Sequence, residues 1–348
     1  MTGTWTEERA ARWQEQRGWR VGCNFIPSSA SNQLEMWQEE TFDPKALERE
    51  LDLARAIGFT SVRVFLHDLA WQQDPEGFCA RVESFLDTAD QRGIGTLFVL
   101  FDSVWNPHPR PGPQPEPCHR VHNSGWVQSP GAEVLADPAR QDALEPYVSG
   151  VIERFRADPR IDGWDLFNEP DNPNPAYRAQ EIPDKPARAL ELLGKTFAWA
   201  RAVDPSQPLT TGIWQGDWSD PAKLSDVARL SLDSSDVISF HCYGELADLR
   251  TRVEALRRHR RPLLCTEFMA RTLGSTFDPQ LGWMQAQGVG GYCWGFVAGR
   301  IQTEYGWDSW VCEYAAEPEP WFHDVLRPDG SPYDPAEVAY IRSLTGRR

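Results

Sequence analysis

Two glutamates at the ends of apolar segments are the residues of this sequence best suited to acid–base chemistry. The mostly apolar run 161–167 stops at Asn168 and Glu169, and the run 262–266 stops at Glu267. Each run is typical of a buried strand that presents a polar residue at its carboxyl end. Two carboxyl groups that meet at such ends can cleave a glycosidic bond, one as an acid and the other as a base or nucleophile.

Strand-like and helix-like segments alternate along the chain, which predicts the elements that position these residues. The predicted strands are residues 20–26, 61–66, 94–101, 161–167, 208–214, 236–241, 262–267 and 289–294. The predicted helices that follow them are residues 44–57, 78–92, 138–157, 185–203, 221–230, 245–259, 279–287 and 334–344. Eight such βα units predict an α/β fold, a single (β/α)8 TIM barrel. We assign residues 20–348 to this barrel and residues 1–19 to an N-terminal helical extension that covers the barrel bottom.

Two long segments follow the third and eighth predicted strands. Residues 102–137 carry a proline at every second position from Pro107 to Pro117, which forces an extended and stiff path. Residues 295–332 are rich in tryptophan and glutamate. Loops that follow barrel strands lie on the catalytic face, and loops of this length are usually functional. We therefore expect both loops to border the site.

Other polar and aromatic side chains stand at or near the ends of the predicted strands. In strand order they are Arg63, His67, Asp102, Trp105, Asn168, Trp214, His241, Tyr243 and Trp294. The strand ends converge above one barrel mouth, so we expect these residues to surround one site. The loop after strand eight adds Trp307. The chain has 16 tryptophans; core filling is the better interpretation for any one of them, but indole rings also stack on the apolar faces of sugars.

The order of seven of these residues resembles the pattern of glycoside hydrolase family 5, a family of the retaining, cellulase-type (β/α)8 clan. The matching positions are Arg63, Asn168, Glu169, His241, Tyr243, Glu267 and Trp294. The match spans roughly residues 21–294. One departure is that the family commonly has a histidine after strand three, whereas here Asp102 and Trp105 follow that strand and the next histidine is His108.

The resemblance implies hydrolysis with retention of configuration through a glycosyl-enzyme intermediate. Glu267 is expected to attack the anomeric carbon while Glu169 donates a proton to the leaving oxygen and later activates water. Arg63 and the Tyr243 hydroxyl are expected to keep Glu267 ionised. Glu169 needs a raised pKa, which a poorly solvated pocket or a nearby carboxylate would supply.

The resemblance also implies how the sugar is held. Asn168 is expected to bond its 2-hydroxyl, Trp294 to lie under the reacting ring, and His241 to support the acid or bond the sugar. We expect further substrate contacts from His67, Asp102, Trp105, Trp214 and Trp307. The expected substrate is a short β-linked gluco-, manno- or xylo-configured oligosaccharide or a β-glycoside, and no cofactor is expected.

Bulk properties disfavour several other classes. The net charge of -16 argues against nucleic acid and against anionic membranes, since both bind basic surfaces. The N-terminus has no basic and apolar leader pattern, and no apolar run is long enough for a membrane span. Seven cysteines without a CxxC motif favour reduced thiols and a cytoplasmic setting, with a Cys118–Cys312 disulfide as the alternative.

Three alternative functions remain open from the sequence. An endo-acting β-glycanase needs an open cleft, whereas walls formed by the two long loops favour exo action. A catalytically silent sugar-binding barrel would not need both glutamates with their supporting residues. A metal-dependent hydrolase is disfavoured because the histidines and aspartates, among them His108, His119 and His122, match no helical pair such as HExxH.

Overall fold

The computed structural model describes residues 3–346 and contains eight parallel strands closed into one barrel. The strands are β1 Val21–Asn24, β2 Ser61–Phe65, β3 Gly95–Asp102, β4 Ile161–Asn168, β5 Leu209–Ile213, β6 Ile238–His241, β7 Leu263–Phe268 and β8 Gly290–Cys293. Each strand pairs with the next in the chain, and β8 pairs in parallel with β1 to close the sheet. The predicted (β/α)8 fold is therefore confirmed.

Helices surround this barrel on the outside. They are α1 Glu7–Arg17, α2 Gln33–Trp37, α3 Pro44–Ile57, α4 Asp68–Gln73, α5 Pro75–Asp90, α6 Ala132–Leu135, α7 Pro138–Asp142, α8 Glu145–Phe155, α9 Lys185–Val203, α10 Asp226–Ser234, α11 Leu246–Arg257, α12 Phe277–Ala286 and α13 Pro335–Thr345. Apolar residues of most of these helices pack against the strands in one large core, whereas those of α1 belong to a second cluster with Tyr292.

Two of the predicted helices differ from the structure. The predicted helix 138–157 is interrupted, because α7 ends at Asp142 and α8 begins at Glu145. Pro146 lies in the first turn of α8, where its missing N–H costs no hydrogen bond. Inside a continuous helix its ring would clash with the preceding turn, so the chain starts a new helix there. The predicted helix 221–230 begins later, as α10.

Helix α1 lies across the end of the barrel where the strands begin. The indole Nε1 of Trp13 donates to the backbone oxygen of Asp162 at 3.0 Å. The backbone N of Trp5 donates to Asp236 at 2.7 Å, and both indoles pack in one cluster with Tyr292. This end of the barrel is filled, so the mouth that can receive a ligand is the carboxyl end of the strands.

The loops after β3 and β8 contact each other. The backbone N of Arg120 donates to Oε1 of Gln302 at 2.6 Å, and the backbone N of His122 donates to Oγ of Ser309 at 3.0 Å. Both loops leave the carboxyl ends of strands, so their contact lies on the same face of the barrel as the two glutamates.

Two sequence expectations concern the whole chain. All seven cysteines are free, so the alternative Cys118–Cys312 disulfide is not formed. Among residues 3–346, no helix combines the length and apolarity that crossing a membrane requires.

Candidate active site

Arg63, on β2, is the centre of a buried hydrogen-bond network inside the barrel mouth. Its guanidinium donates to Asp165 Oδ2 at 3.0 and 2.8 Å and to Glu267 Oε1 at 2.9 Å. It also donates to Asn24 Oδ1 at 2.8 Å and to Asn168 Oδ1 at 2.7 Å. Burial opposes its charge, but Asp165 and Glu267 together raise the pKa of Arg63. One permanent cation thus orients side chains from three other strands.

Glu267, on β7, has each of its carboxylate oxygens held by a donor. Oε1 accepts from Arg63, and Oε2 accepts from the hydroxyl of Tyr243 at 2.8 Å. Burial raises the pKa of Glu267 above its ordinary value, and the contributions of His241, Arg63 and Tyr243 oppose that rise. These partners favour the ionised form of a carboxyl group that burial would otherwise keep neutral.

Glu169 follows β4 and has a strained backbone. Its φ of 40° lies in the left-handed region, which non-glycine residues seldom occupy and which recurs at functional sites. Its backbone N donates to the oxygen of Gly212 at 3.1 Å, and its Oε2 accepts from Nδ2 of Asn172 at 2.6 Å. Burial raises the pKa of Glu169 to about 7, against the effects of Asn172 and Arg63. The side chain can therefore exist in either protonation state near neutral pH.

His241, at the end of β6, lies between the two glutamates. Its Nδ1 is 2.5 Å from Oε1 of Glu169 and 3.5 Å from Oε2 of Glu267. Burial lowers the pKa of His241 to about 4, so the ring is neutral at neutral pH. A neutral imidazole nitrogen can accept from a protonated Glu169 or donate to its carboxylate, so the contact persists in both states of the acid.

The two carboxyl groups are close to each other. One oxygen of Glu169, one oxygen of Glu267 and a ring nitrogen of His241 all lie within 4.8 Å of one another. A metal ion could use such a spacing, but the guanidinium of Arg63 already supplies a positive charge 2.9 Å from Glu267. The arrangement is better suited to acid–base and nucleophilic chemistry by the carboxyl groups themselves.

Asn168 and Asp102 lie beside this pair as parts of the same network. The amide of Asn168 accepts from Arg63 and donates through Nδ2 to Oδ1 of Asp102 at 3.2 Å. Asp102 Oδ2 accepts from the indole of Trp126 at 2.7 Å. Burial raises the pKa of Asp102 to about 6, against the hydrogen bonds from Trp126 and Asn168. Asp102 therefore orients the amide of Asn168, and its contact with substrate remains a prediction.

Two of the predicted tryptophans lie next to the carboxyl pair. The ring of Trp307 is 5.1 Å from that of Tyr243 and is 41% exposed. Trp214 donates through Nε1 to Asp171 at 2.9 Å and, with Glu169, lines a cavity of about 480 Å³. Each of them places an indole near the reacting groups.

Trp294 and Trp105 pack more deeply among other aromatic rings. Trp294 is 5.7 Å from both Phe65 and Trp126, centroid to centroid. Trp105 stacks on Trp310 at 5.9 Å with an interplanar angle of 23°. These contacts are with other protein side chains, and stacking of either indole under a sugar ring stays a prediction.

His67 is enclosed by the protein after β2. Its Nδ1 accepts from the backbone N of Leu69 at 3.1 Å and so caps α4. Its Nε2 has no partner among residues 3–346. The structure thus gives His67 a local structural role, and its contact with substrate stays a prediction.

Sequence reasoning missed three members of the site, Asn24, Asp165 and Asn172. Asp165 is a charged residue in an otherwise apolar run, and such a residue in a fully buried strand needs a partner. That signal could have identified it. Asn24 is the polar residue at the end of β1, and a polar residue in a buried strand is a weaker signal of the same kind. Asn172 is distinguished only by its closeness in sequence to Glu169.

Comparisons with known proteins support the fold. No family model matches the sequence, and no curated protein matches it. A GH5_18 protein from Streptomyces cattleya in complex with GlcNAc is similar with a TM-score of 0.60 and 16% identity, over 95% of this chain and 80% of that chain. The exo-beta-1,4-mannosidase Op5Man5 from Opitutaceae bacterium strain TAV5 is similar with a TM-score of 0.58 and 20% identity, over 95% of this chain and 60% of that chain. The hyperthermostable endo-1,4-beta-D-mannanase from Thermotoga petrophila RKU-1 is similar with a TM-score of 0.57 and 14% identity, over 94% of this chain and 99% of that chain.

Proposed function

We propose that this chain is a retaining β-glycosidase that acts by double displacement. The observation that carries the proposal is the close approach of Glu169 and Glu267, whose nearest oxygens lie within 4.8 Å. Retaining glycosidases hold their two carboxyl groups about 5–5.5 Å apart, whereas inverting enzymes need about 6.5–9.5 Å to admit a water molecule. The close approach of Glu169 and Glu267 lies on the retaining side of this division and supports direct attack on the sugar by one carboxylate.

Glu267 acts as the nucleophile in this proposal. Its carboxylate attacks the anomeric carbon, the glycosidic C–O bond breaks, and the leaving oxygen takes the proton of Glu169. In the second step a water molecule gives a proton to Glu169, its oxygen bonds to the anomeric carbon, and the ester to Glu267 breaks. The hydrogen bonds from Arg63 and Tyr243 support ionisation of Glu267 before the attack.

Glu169 acts as the acid and then as the base. A pKa of about 7 leaves a useful fraction of each form near neutral pH. The charges of the two glutamates repel each other, so an ionised Glu267 favours a protonated Glu169. Once Glu267 is esterified its charge is gone, which lowers the pKa of Glu169 and favours its action as a base.

A short β-mannoside is the substrate that the neighbours favour among the gluco, manno and xylo alternatives. One similar structure is a GH5_18 protein in complex with Manb1-4GlcNAc, another is an exo-beta-1,4-mannosidase, and several are mannanases. The contact between the loops after β3 and β8, through Arg120 with Gln302 and His122 with Ser309, supports a cleft closed at one end. We therefore favour exo action on short chains over endo action.

A panel of aryl β-mannosides, β-glucosides and β-xylosides tests this function. We expect the mannoside to be cleaved fastest and the first sugar released to have the β configuration by NMR. Release of the α anomer would exclude retention. No turnover of any glycoside, together with measurable oligosaccharide binding, would favour a silent sugar-binding barrel. Loss of activity with a chelator and its return with a metal would favour a metal-dependent hydrolase.

We also retain the cytoplasmic setting as a proposal. Its support is that Cys118 and Cys312 are exposed and unpaired, as is usual in a reducing compartment. Unchanged activity and melting temperature in the presence of a reductant, with loss of activity under a mild oxidant, would agree with it. Dependence of activity on an oxidising buffer would contradict it.

A further inference from the structure

Arg252, on α11, is a cation that lines the cavity next to Glu169. It lines the cavity of about 480 Å³ together with Glu169, Trp214 and Leu273. Among residues 3–346, no carboxylate forms an ion pair with its guanidinium, and its Nη1 is enclosed without a hydrogen-bond partner. An enclosed donor that lacks an acceptor carries a desolvation cost, which a bound ligand with an acceptor group would remove.

The guanidinium of Arg252 is held in place rather than free in solvent. Its central carbon lies 4.5 Å from the ring centroid of Trp218, a stacked cation–π arrangement. Trp218 is itself fixed, because its Nε1 donates to the backbone oxygen of Gln215 at 2.9 Å and its ring packs against Phe240. A guanidinium on such a support loses little conformational entropy when it binds a ligand.

The cavity adjoins the proposed proton donor, Glu169. Glu169 is the proposed proton donor, and a proton donor must contact the oxygen that leaves. The cavity lined by Glu169 is therefore the candidate space for the leaving group, with Trp214 and Leu273 as apolar walls. The charge of Arg252 is also felt by the neighbouring His241, whose pKa is lowered by burial and, to a smaller extent, by Arg252.

We propose that Arg252 forms an anion-binding subsite, and that the natural leaving group carries a carboxylate or a phosphate. This inference rests on the proposed glycosidase function. The planar fork of an arginine matches both groups and binds them through charge-assisted hydrogen bonds. The chain has a net charge of -16, so an anionic leaving group would be repelled unless a local cation received it.

Two substrates with the same sugar test this subsite. 4-Methylumbelliferyl β-mannoside has a neutral leaving group, and 3-carboxyumbelliferyl β-mannoside carries a carboxylate. We expect Arg252→Met to lower kcat/KM for the carboxylated substrate by about 10- to 100-fold more than for the neutral one. We define the substrate ratio as kcat/KM for the carboxylated substrate divided by kcat/KM for the neutral one. Intrinsic differences between the two leaving groups cancel when the ratio of the variant is divided by the ratio of the parent. An equal effect on both substrates, or no effect, would overturn the proposal.

Competitive inhibition separates the two anion classes. Glucuronate, glucose 6-phosphate and glucose offer a carboxylate, a phosphate and no charge on similar rings. We expect at least one of the two anions to inhibit the parent enzyme better than glucose does, and this advantage to disappear in Arg252→Met. If glucose inhibited as well as both anions, the subsite would not be an anion site.

Arg250→Met is the matched control on the same helix. Arg250 is exposed, lies 5.8 Å from the ring of Trp283 and is outside the cavity lining, yet it carries the same charge. We expect Arg250→Met to leave the substrate ratio unchanged. A change equal to that of Arg252→Met would mean that only the general charge of α11 matters.

Turnover of the neutral substrate by Arg252→Met shows that the variant is folded. If the parent enzyme cleaved neither substrate nor any aryl glycoside, the proposed function would fail, whereas turnover with an unchanged ratio would remove the anion subsite alone.

Discussion

Oε1 of Glu169 lies 2.5 Å from Nδ1 of His241, in a contact enclosed by the barrel mouth. Burial raises the pKa of Glu169 to about 7 and lowers that of His241 to about 4. Between these values both groups are neutral, so Glu169 holds the proton that a general acid must supply. Glu267, whose oxygens are bonded by Arg63 and Tyr243, is the carboxylate better prepared to remain charged.

Glu169→Ala should affect substrates according to their need for a proton. An alkyl or sugar leaving group needs protonation, so we expect its rate to fall by about 10²- to 10⁴-fold. A 2,4-dinitrophenyl glycoside has an activated leaving group, and its first step should be far less affected. Pre-steady-state and steady-state rates for both substrates measure the difference. Glu245→Ala, a change at an exposed glutamate before α11, is the control and should change neither. Full rates for both substrates in Glu169→Ala would remove the acid assignment.

The pH dependence of kcat/KM should be bell-shaped. Glu169 must be protonated for the first step, so activity should fall as the pH rises through about 7, the pKa of this group. Glu267 must be ionised, and its pKa is raised by burial, so activity should also fall on the acid side. Initial rates at low substrate concentration across the pH range give both limbs. A profile that rises steadily to alkaline pH would be inconsistent with Glu169 as the acid.

Tyr243→Phe should move the acid limb of that profile. The change removes the hydroxyl that donates to Oε2 of Glu267 at 2.8 Å, which favours the ionised carboxylate. The pKa of Glu267 should therefore rise further, and kcat/KM at the optimum should fall by about 10- to 100-fold. Tyr340→Phe, on α13, serves as the control. An acid limb that stays in place would mean that Tyr243 does not act through Glu267.

Glu169→Gln should stabilise the fold at alkaline pH. The raised pKa means that this carboxyl group stabilises the folded state fully below its ordinary value of 4.5, and that the stabilisation is lost as the pH rises through about 7. Glutamine fills the same space without ionising. We expect Glu169→Gln to gain free energy of unfolding relative to the parent as the pH rises. The gain should be about 1–3 kcal/mol larger at pH 8 than at pH 5. Urea titrations at the two values measure this; a difference independent of pH would show that ionisation of Glu169 costs the fold nothing.

Much of this arrangement could be predicted from the chain itself. A parallel strand that ends in a polar residue has a clear pattern, so β4 with Asn168 and β7 with Glu267 could be placed from the sequence alone. The partner of Arg63 on β4, Asp165, was visible only as a charge within an apolar run. Pairing between residues 102 positions apart depends on the register of the closed sheet, which one sequence does not specify.

The remaining differences have local causes. The single predicted helix 138–157 is two helices because Pro146, in the first turn of α8, starts a new helix, and its effect was hidden because the apolar pattern continues on both sides of it. Arg252 carries no distinguishing signal in the sequence, since a helical pattern does not reveal that its guanidinium lies over the ring of Trp218 beside the cavity. His67 lies after β2, as expected, but its ring caps α4. A side chain at a strand end can bond the next helix instead of a ligand.

Trapping the glycosyl-enzyme is the most direct test of the central claim, that Glu267 attacks the sugar and Glu169 is the acid. A 2-deoxy-2-fluoro-β-mannosyl fluoride slows the second step more than it slows the departure of fluoride, so the intermediate accumulates. We expect intact-mass measurement to show one added fluoroglycosyl group per chain, and peptide mapping to place it on Glu267. Attachment to Glu169, or turnover of a normal β-mannoside to the α anomer with no trapped adduct, would contradict the account.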